Sequence, residues 1–319
     1  MQQLLTPALS IVVPVYGNEG SIRQLIDALN SIRHRVEGEF EAVFVVDGSP
    51  DQSYALLRQL LPDSGFNSQL LTLSRNFGAF QAIRAGLEHA RGSVIAVMAA
   101  DLQEPPELAL KFLAALSEGQ FDLAMGVREA RADPGTSKLA STAFWELYRR
   151  FVMPDIPKGG VDIFAVTRQT RDRLLLLKES NTSLLAQLFW IGGRRAFIPY
   201  ERQRREHGKS AWTLKKKLRY LSDSVFAFTD LPVRALMALG SLALVSAVGL
   251  SILILAAKFS GWVQVPGYAG TMVTILFFGA LNSLGLGVVG AYAWRTFENT
   301  KARPLSIIQS QEHFKERSA

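Results

Sequence analysis

The sequence contains no cysteine. That excludes disulfides, thiolate nucleophiles and thiolate zinc sites, and it agrees with a reducing compartment. A recognisable signal segment is also lacking. Met1 to Leu9 carries no basic stretch, and the apolar run Ile11–Val15 is too short for a signal core and is cut by Pro14. The N-terminal portion is therefore expected to stay where it is made. Charge is locally absent too. Ala235 to Ala257 is twenty-three residues without one, and beyond Lys258 and a linker with Pro266 a second uncharged stretch runs to Trp294. At about 1.5 Å per residue, the first stretch outruns the roughly 30 Å hydrocarbon core of a bilayer. Arg234 precedes this pair, Arg295, Lys301 and Arg303 follow it, and the linker carries only Lys258. The positive-inside rule then puts both ends of a membrane hairpin in the cytoplasm. The competing reading is a pair of buried core helices.

The 319 residues allow one large α/β domain plus a smaller appendage. The net charge of +7 points to an acidic partner: nucleic acid, anionic lipid or a phosphorylated substrate. Residues 9–16 read as a buried strand, and Ile22, Leu25, Ile26, Leu29 and Ile32 mark one face of a helix over 21–33. Further strands are predicted at Glu41–Val46, Leu70–Ser74, Val94–Met98, Phe121–Val127 and Ile163–Val166, with helices near 52–61 and 80–90. Alternation of this kind predicts βαβ units, a mostly parallel sheet and helices on both faces. Ligands in such sheets sit at the carboxyl ends of the strands. That rule selects 14–18, 47–51, 74–78 and 101–106. Residues 129–157 suit a mobile loop or surface helix. From Arg194 to Lys217 the chain is densely basic, and Leu214, Leu218, Leu221, Val225 and Phe226 define an amphipathic helix suited to a membrane surface. The expected division is a catalytic domain at 1–212, a juxtamembrane helix region at 213–233, two transmembrane helices at 234–296 and a cytoplasmic tail at 297–319.

At a strand end, the Asp47 carboxylate can accept from a nucleobase N–H or a ribose hydroxyl. Helix capping is the rival reading for Asp47 and for Asp51. Asp101 and Gln103, two apart in an extended segment, would put two hard oxygen ligands on one side, suited to Mg²⁺ or Mn²⁺ held together with substrate phosphates. Arg75 could face phosphate or be a turn residue. Asp162, after two glycines, could act as a base, orient an acceptor or simply close a turn. Arg202, Arg204 and Arg205 with Gly208, Lys209 and Ser210 make a segment of phosphate-binding type. The adjacent apolar hairpin favours a lipid phosphate over nucleic acid as its partner.

The segments SIVVPVYGNEGSI, VVDGSPDQS, LSRNFGAFQAIRAGL, VMAADLQEPPE, GGVDIF, YERQRREHGKSAW and LGLGVVGAYAWRTFENTKARP occur in that order before and within the hairpin. Together they resemble the family 2 glycosyltransferases of GT-A fold, in the polyisoprenyl-phosphate branch with dolichol-phosphate mannose synthases and bactoprenol glucosyltransferases. The resemblance implies an inverting transfer of a hexose, glucose first, from a UDP-sugar to undecaprenyl phosphate or a similar lipid at the cytoplasmic face of the inner membrane. GDP-mannose or a UDP-amino-sugar is the alternative donor, and a catalytically inactive nucleotide-binding relative the alternative function. It also implies a homo-oligomer. Pro14, Tyr16, Glu19, Asp47 and Arg75 would meet the nucleotide, and Asp101 and Gln103 the Mg²⁺ or Mn²⁺. Asp101 and Asp162 would be catalytic, and Arg128, Arg202, Arg205 and Ser210 would contact phosphates. Val46, Ala79, Ala99 and Ala211 stand where the family often has Asp, Lys, Asp and Lys. Ala99 reduces the metal cluster to Asp101 and Gln103.

Overall fold

The computed structural model describes residues 6–128, 146, 148–150, 153–157, 160–203, 214–260 and 267–316. Two compact units divide the chain: Met1–Leu218 with Pro304–Ala319, and Arg219–Arg303.

The first unit is built on an eight-stranded sheet. Its strands are β1 (Leu9–Val15), β2 (Phe40–Val46), β3 (Asn67–Leu73), β4 (Val94–Val97), β5 (Leu123–Arg128), β6 (Val161–Thr167), β7 (Arg195–Tyr200) and β8 (Ile308–Phe314). Their order across the sheet is β7-β5-β6-β4-β1-β2-β3-β8. β1 pairs in parallel with β2 and β4, β2 with β3, and β5 with β7. β6 runs antiparallel between β4 and β5, and β8 antiparallel beside β3. Every residue of β2 is buried, because a central parallel strand is covered on both faces. The covering helices are α1 (Ile22–Arg33), α2 (Ser53–Leu60), α3 (Ala79–His89), α4 (Glu107–Ser117), α5 (Arg168–Leu175) and α6 (Leu184–Trp190). The five apolar residues that mark α1 in the sequence are the five it buries.

The stretch 297–319 does not behave as a tail. Ile308–Phe314 adds the edge strand β8, and Glu312 accepts from the Tyr54 hydroxyl at 2.7 Å and from Arg58 Nε at 3.0 Å. Arg33 and Glu316 add an ion pair at 3.3 Å. β8 alternates half-buried and exposed positions with almost no apolar run, which is why it reads as a polar tail. Within 129–157, residues 129–145, 147, 151 and 152 lie outside the described ones. Residues 146 and 148–150 are helical, with Glu146 and Arg150 exposed and Tyr148 fully buried, which agrees with a surface helix that packs one aromatic side chain inward.

A polar cluster ties the amino ends of the strands together. Buried Glu41 in β2 accepts from Ser10 Oγ at 2.8 Å, Gln69 Nε2 at 2.6 Å, and the Arg91 backbone N–H and Nε at 3.0 Å each. Ser10 Oγ in turn accepts from the Gly92 N–H at 2.7 Å. Glu41→Ala removes four acceptor contacts and strands buried donors, so it is expected to destabilise the protein by about 2–3 kcal/mol. Thermal or urea unfolding of the purified protein checks this, and an unchanged midpoint would show that the cluster contributes nothing net.

The second unit takes up most of α7 (Leu214–Phe228), in which Asp223 pairs with Arg295 at 2.8 Å and Phe226 meets Tyr292 at 5.4 Å between ring centroids. Two long helices follow α7: α8 (Leu231–Phe259, 29 residues) and α9 (Tyr268–Thr300, 33 residues). Each is long and apolar enough to cross a membrane, over Leu231–Leu250 and Phe277–Thr300. Only 6% and 0% of these stretches is buried within the protein. A core helix of a water-soluble domain would bury its apolar side chains, whereas Met237, Leu242, Val245, Leu286 and Val289 are exposed.

Candidate active site

Sheet direction places the sequence-predicted residues at one end of the first unit. Pro14, Tyr16 and Glu19 lie at and beyond the carboxyl end of β1, Asp47 beyond β2, Arg75 beyond β3, and Asp101 with Gln103 beyond β4. Arg128 ends β5 and Arg202 follows β7. Asp162 is the second residue of β6, and because β6 is antiparallel its start falls at the same end as the exits of its neighbours. Arg205 and Ser210 lie outside the described residues, as does the Asp162 side chain.

The loops after β1 and β2 are laced to each other. Ser49 Oγ accepts from the Gly17 N–H at 2.8 Å and donates to Asp51 Oδ1 at 2.6 Å. Asp51 also accepts from the Glu19 N–H at 3.0 Å and from Ser53 Oγ at 2.9 Å, while the Glu19 carboxylate accepts from the Gln52 N–H at 2.9 Å. Burial raises the Asp51 carboxyl, but the bonds from Ser49, the Glu19 N–H and Ser53 outweigh it and hold its pKa below the ordinary value. Asp51 also accepts from the Ser53 N–H, the first residue of α2, at 3.2 Å, but the N-cap position itself is Gln52, so the capping expectation is met only by this neighbouring bond. Glu19 and Asp51 thus shape the loops, and Tyr16 stays exposed beside them.

Asp47 is 2% exposed and bridges to the loop after β3. Its Oδ1 accepts from the Phe77 N–H at 2.7 Å and its Oδ2 from the Gly78 N–H at 2.8 Å, just ahead of α3. Asn76 Nδ2 donates to the Asp47 carbonyl at 3.1 Å. A carboxylate oxygen can accept more than one hydrogen bond, so this bracing is compatible with a ligand donor as well. Arg75 is exposed and lies over the Phe77 ring, 4.0 Å from its centroid. That stacking holds a guanidinium and an aromatic face together at the rim.

Asp101-Leu102-Gln103 is not the extended segment that period-two alternation suggests. It turns: Leu102 has φ +52°, its N–H reaches the Ala99 carbonyl at 3.4 Å, and Asp101 Oδ1 accepts from the Gln103 N–H at 3.3 Å. A left-handed leucine costs about 1–2 kcal/mol, and such strain collects at functional turns. The segment after β7 docks on this turn. The Gln203 N–H donates to the Gln103 carbonyl at 2.8 Å, Gln103 Nε2 to the Gln203 carbonyl at 3.4 Å, and Arg202 Nη2 to Gln103 Oε1. Beside it lies a groove of about 540 Å³ lined by Pro105, Lys111, Tyr200, Glu201 and Arg202, among others. Glu104 next to the turn is buried, which its charge and its place before two prolines hide in the sequence.

Among the described residues no cluster of three or more His, Cys, Asp or Glu could hold a metal ion. The donor set expected from the sequence is one carboxylate, Asp101, and one amide oxygen, Gln103. That chemistry does not suit an all-protein cage. It fits a small hard cation bound through a single carboxylate together with the phosphate oxygens of a substrate.

Residues 10–176 match the model of "Glycosyl transferase family 2". An uncharacterised glycosyltransferase of Synechocystis is 33% identical over 95% of this chain and 95% of its own length. The uncharacterised glycosyltransferase YkcC of Bacillus subtilis is 32% identical over 94% and 93%. The undecaprenyl-phosphate 4-deoxy-4-formamido-L-arabinose transferase of Edwardsiella ictaluri is 29% identical over 95% and 93%. With a mostly parallel sheet and a family match over more than half its length, this chain belongs to the family 2 glycosyltransferases.

Proposed function

We propose that this protein is a membrane-anchored enzyme that transfers a hexose from a UDP-sugar to a polyisoprenyl phosphate, with inversion at the anomeric carbon. The observation that carries the reading is the order of groups along one end of the sheet. Asp47, Arg75 and Tyr16 belong to β1–β3, Asp101 and Gln103 to β4 in the middle, and Asp162, Arg128 and Arg202 to β6, β5 and β7. A nucleotide over β1–β3 would put its diphosphate at β4 and its sugar toward the basic side, where a second phosphate is attracted. The chain also leaves β7 and re-enters at β8 from this same end, and the two apolar helices lie between those points. The Arg and Lys residues that flank the helices support a hairpin with both ends in the cytoplasm. The Edwardsiella relative, named for an undecaprenyl-phosphate acceptor, supports the lipid acceptor.

The nucleophile would be a phosphate oxygen of the lipid, already anionic near neutral pH, so no strong base is required. Arg128 and Arg202 would orient it, Asp162 would face the acceptor side, and Asp47 with the loop it braces would hold the nucleoside. A bound Mg²⁺ or Mn²⁺ would neutralise charge on the departing diphosphate. Asp101 and Gln103 would hold that cation.

A donor screen tests this with purified full-length protein, polyprenyl phosphate in detergent, Mg²⁺ or Mn²⁺, and UDP-glucose, GDP-mannose or UDP-amino-sugars. Transfer from UDP-glucose to the lipid phosphate is the expected result. No transfer from any donor overturns the reading. A modified-sugar donor is the second reading, favoured by the name of the Edwardsiella relative, and the same screen separates it.

A further inference from the structure

Both ends of the Gln103 side-chain amide are engaged. Nε2 donates to the Gln203 carbonyl at 3.4 Å, and Oε1 accepts from Arg202 Nη2. The Gln203 N–H, bonded at 2.8 Å to the Gln103 carbonyl, fixes the two segments in register. The oxygen on which a cation would rest is therefore already held by a positive group. An amide oxygen has two lone pairs, but a guanidinium and a divalent cation on the same atom would sit about 4 Å apart with like charge. The second observation concerns Arg202. Its Nε is buried and has no acceptor among the described residues, in a place where such donors are normally satisfied.

We infer that Gln103 and Arg202 form a latch in which the guanidinium and a divalent cation compete for Gln103 Oε1. This rests on the proposed cation role of Asp101 and Gln103. Without nucleotide, Arg202 occupies the oxygen, docks the 202–203 segment and lowers cation affinity. When a cation takes the oxygen, the guanidinium is released with its spare Nε donor. It then finds its acceptor in the anionic group that arrives with the cation. Arg202 is thus a positioning residue as well as a phosphate contact.

The test measures Mn²⁺ affinity by electron paramagnetic resonance of free Mn²⁺, on purified full-length protein without nucleotide. Arg202→Met is expected to bind Mn²⁺ about tenfold more tightly than the parent, since a hydrogen bond from a charged donor no longer competes. Arg202→Lys, which keeps the charge but not the planar fork, is expected to fall between them and guards against a folding defect in the methionine variant. Asp101→Asn is expected to lose Mn²⁺. If Asp101→Asn loses Mn²⁺ while both Arg202 variants bind it no more tightly than the parent, the latch is overturned and the cation site stands. If the parent and both Arg202 variants bind no Mn²⁺, or Asp101→Asn binds it unchanged, the cation reading fails and the latch with it.

Discussion

Asp101→Ala is expected to lower sugar transfer to the lipid about a thousandfold while leaving the melting temperature within about 2 °C of the parent. The size follows from how little the turn holds in reserve. Ala99 supplies no second carboxylate, and no third acidic or imidazole ligand gathers nearby among the described residues. Removing Asp101 leaves one neutral amide oxygen, itself engaged by Arg202. Losing a single group aimed at developing charge costs about 10²–10³ in rate, and losing the carboxylate that would hold a cation belongs at the upper end. The Asp101 bond to the Gln103 N–H is long, at 3.3 Å, and spans only two residues, so its loss costs the fold little. Asp101→Asn sharpens the assay. It keeps an oxygen for that bond and removes the charge, so it should be nearly as inactive. Initial rates at saturating donor, with melting curves for both variants, decide the matter. An asparagine variant with near-parent rates would remove the carboxylate from the mechanism.

The parts of this site legible in the sequence are those that depend on strand position. β1, β2 and β4 are apolar runs closed by Gly, Pro or Asp, and the rule that ligands gather at strand exits locates Asp47 and Asp101 without any contact being known. Asp162 is a harder case. Its placement at this end needs β6 to be antiparallel, and nothing in the local pattern of GGVDIF distinguishes that from another parallel strand. β8 was hidden because an edge strand with one half-buried face carries little hydrophobic signal. Contacts between loops were hidden for a different reason. Asp47 bonds to N–H groups 30 and 31 residues away, and Gln103 to a segment about a hundred residues on. Such pairings are set by tertiary closure and leave no periodic trace. Leu102 belongs with them, since a leucine gives no warning of a positive φ.

Gly48→Ala is expected to destabilise the protein by about 3 kcal/mol and to weaken nucleotide binding at least about tenfold. Two independent causes meet at this residue. Its φ of +59° is one that an L side chain adopts only at a cost. An added Cβ would also stand 2.5 Å from the Asn76 nitrogen and 2.6 Å from the Arg75 carbonyl carbon. Those are backbone atoms, so relief requires the loop after β3 to move. That loop is the one Asp47 holds through the Phe77 and Gly78 N–H groups, and displacing it strips a buried carboxylate of two donors. Gly17→Ala separates the two causes. Gly17 has a comparable φ of +69°, yet an added Cβ there meets nothing within 4 Å. It should show the conformational cost alone, about 1 kcal/mol. Unfolding midpoints and calorimetric titration with UDP and GDP on both variants make the comparison. If Gly48→Ala proves no worse than Gly17→Ala in either measurement, the two loops do not approach as closely as the bracing of Asp47 requires. A larger loss at Gly48 ties the nucleoside end of the site to the backbone packing between the exits of β2 and β3.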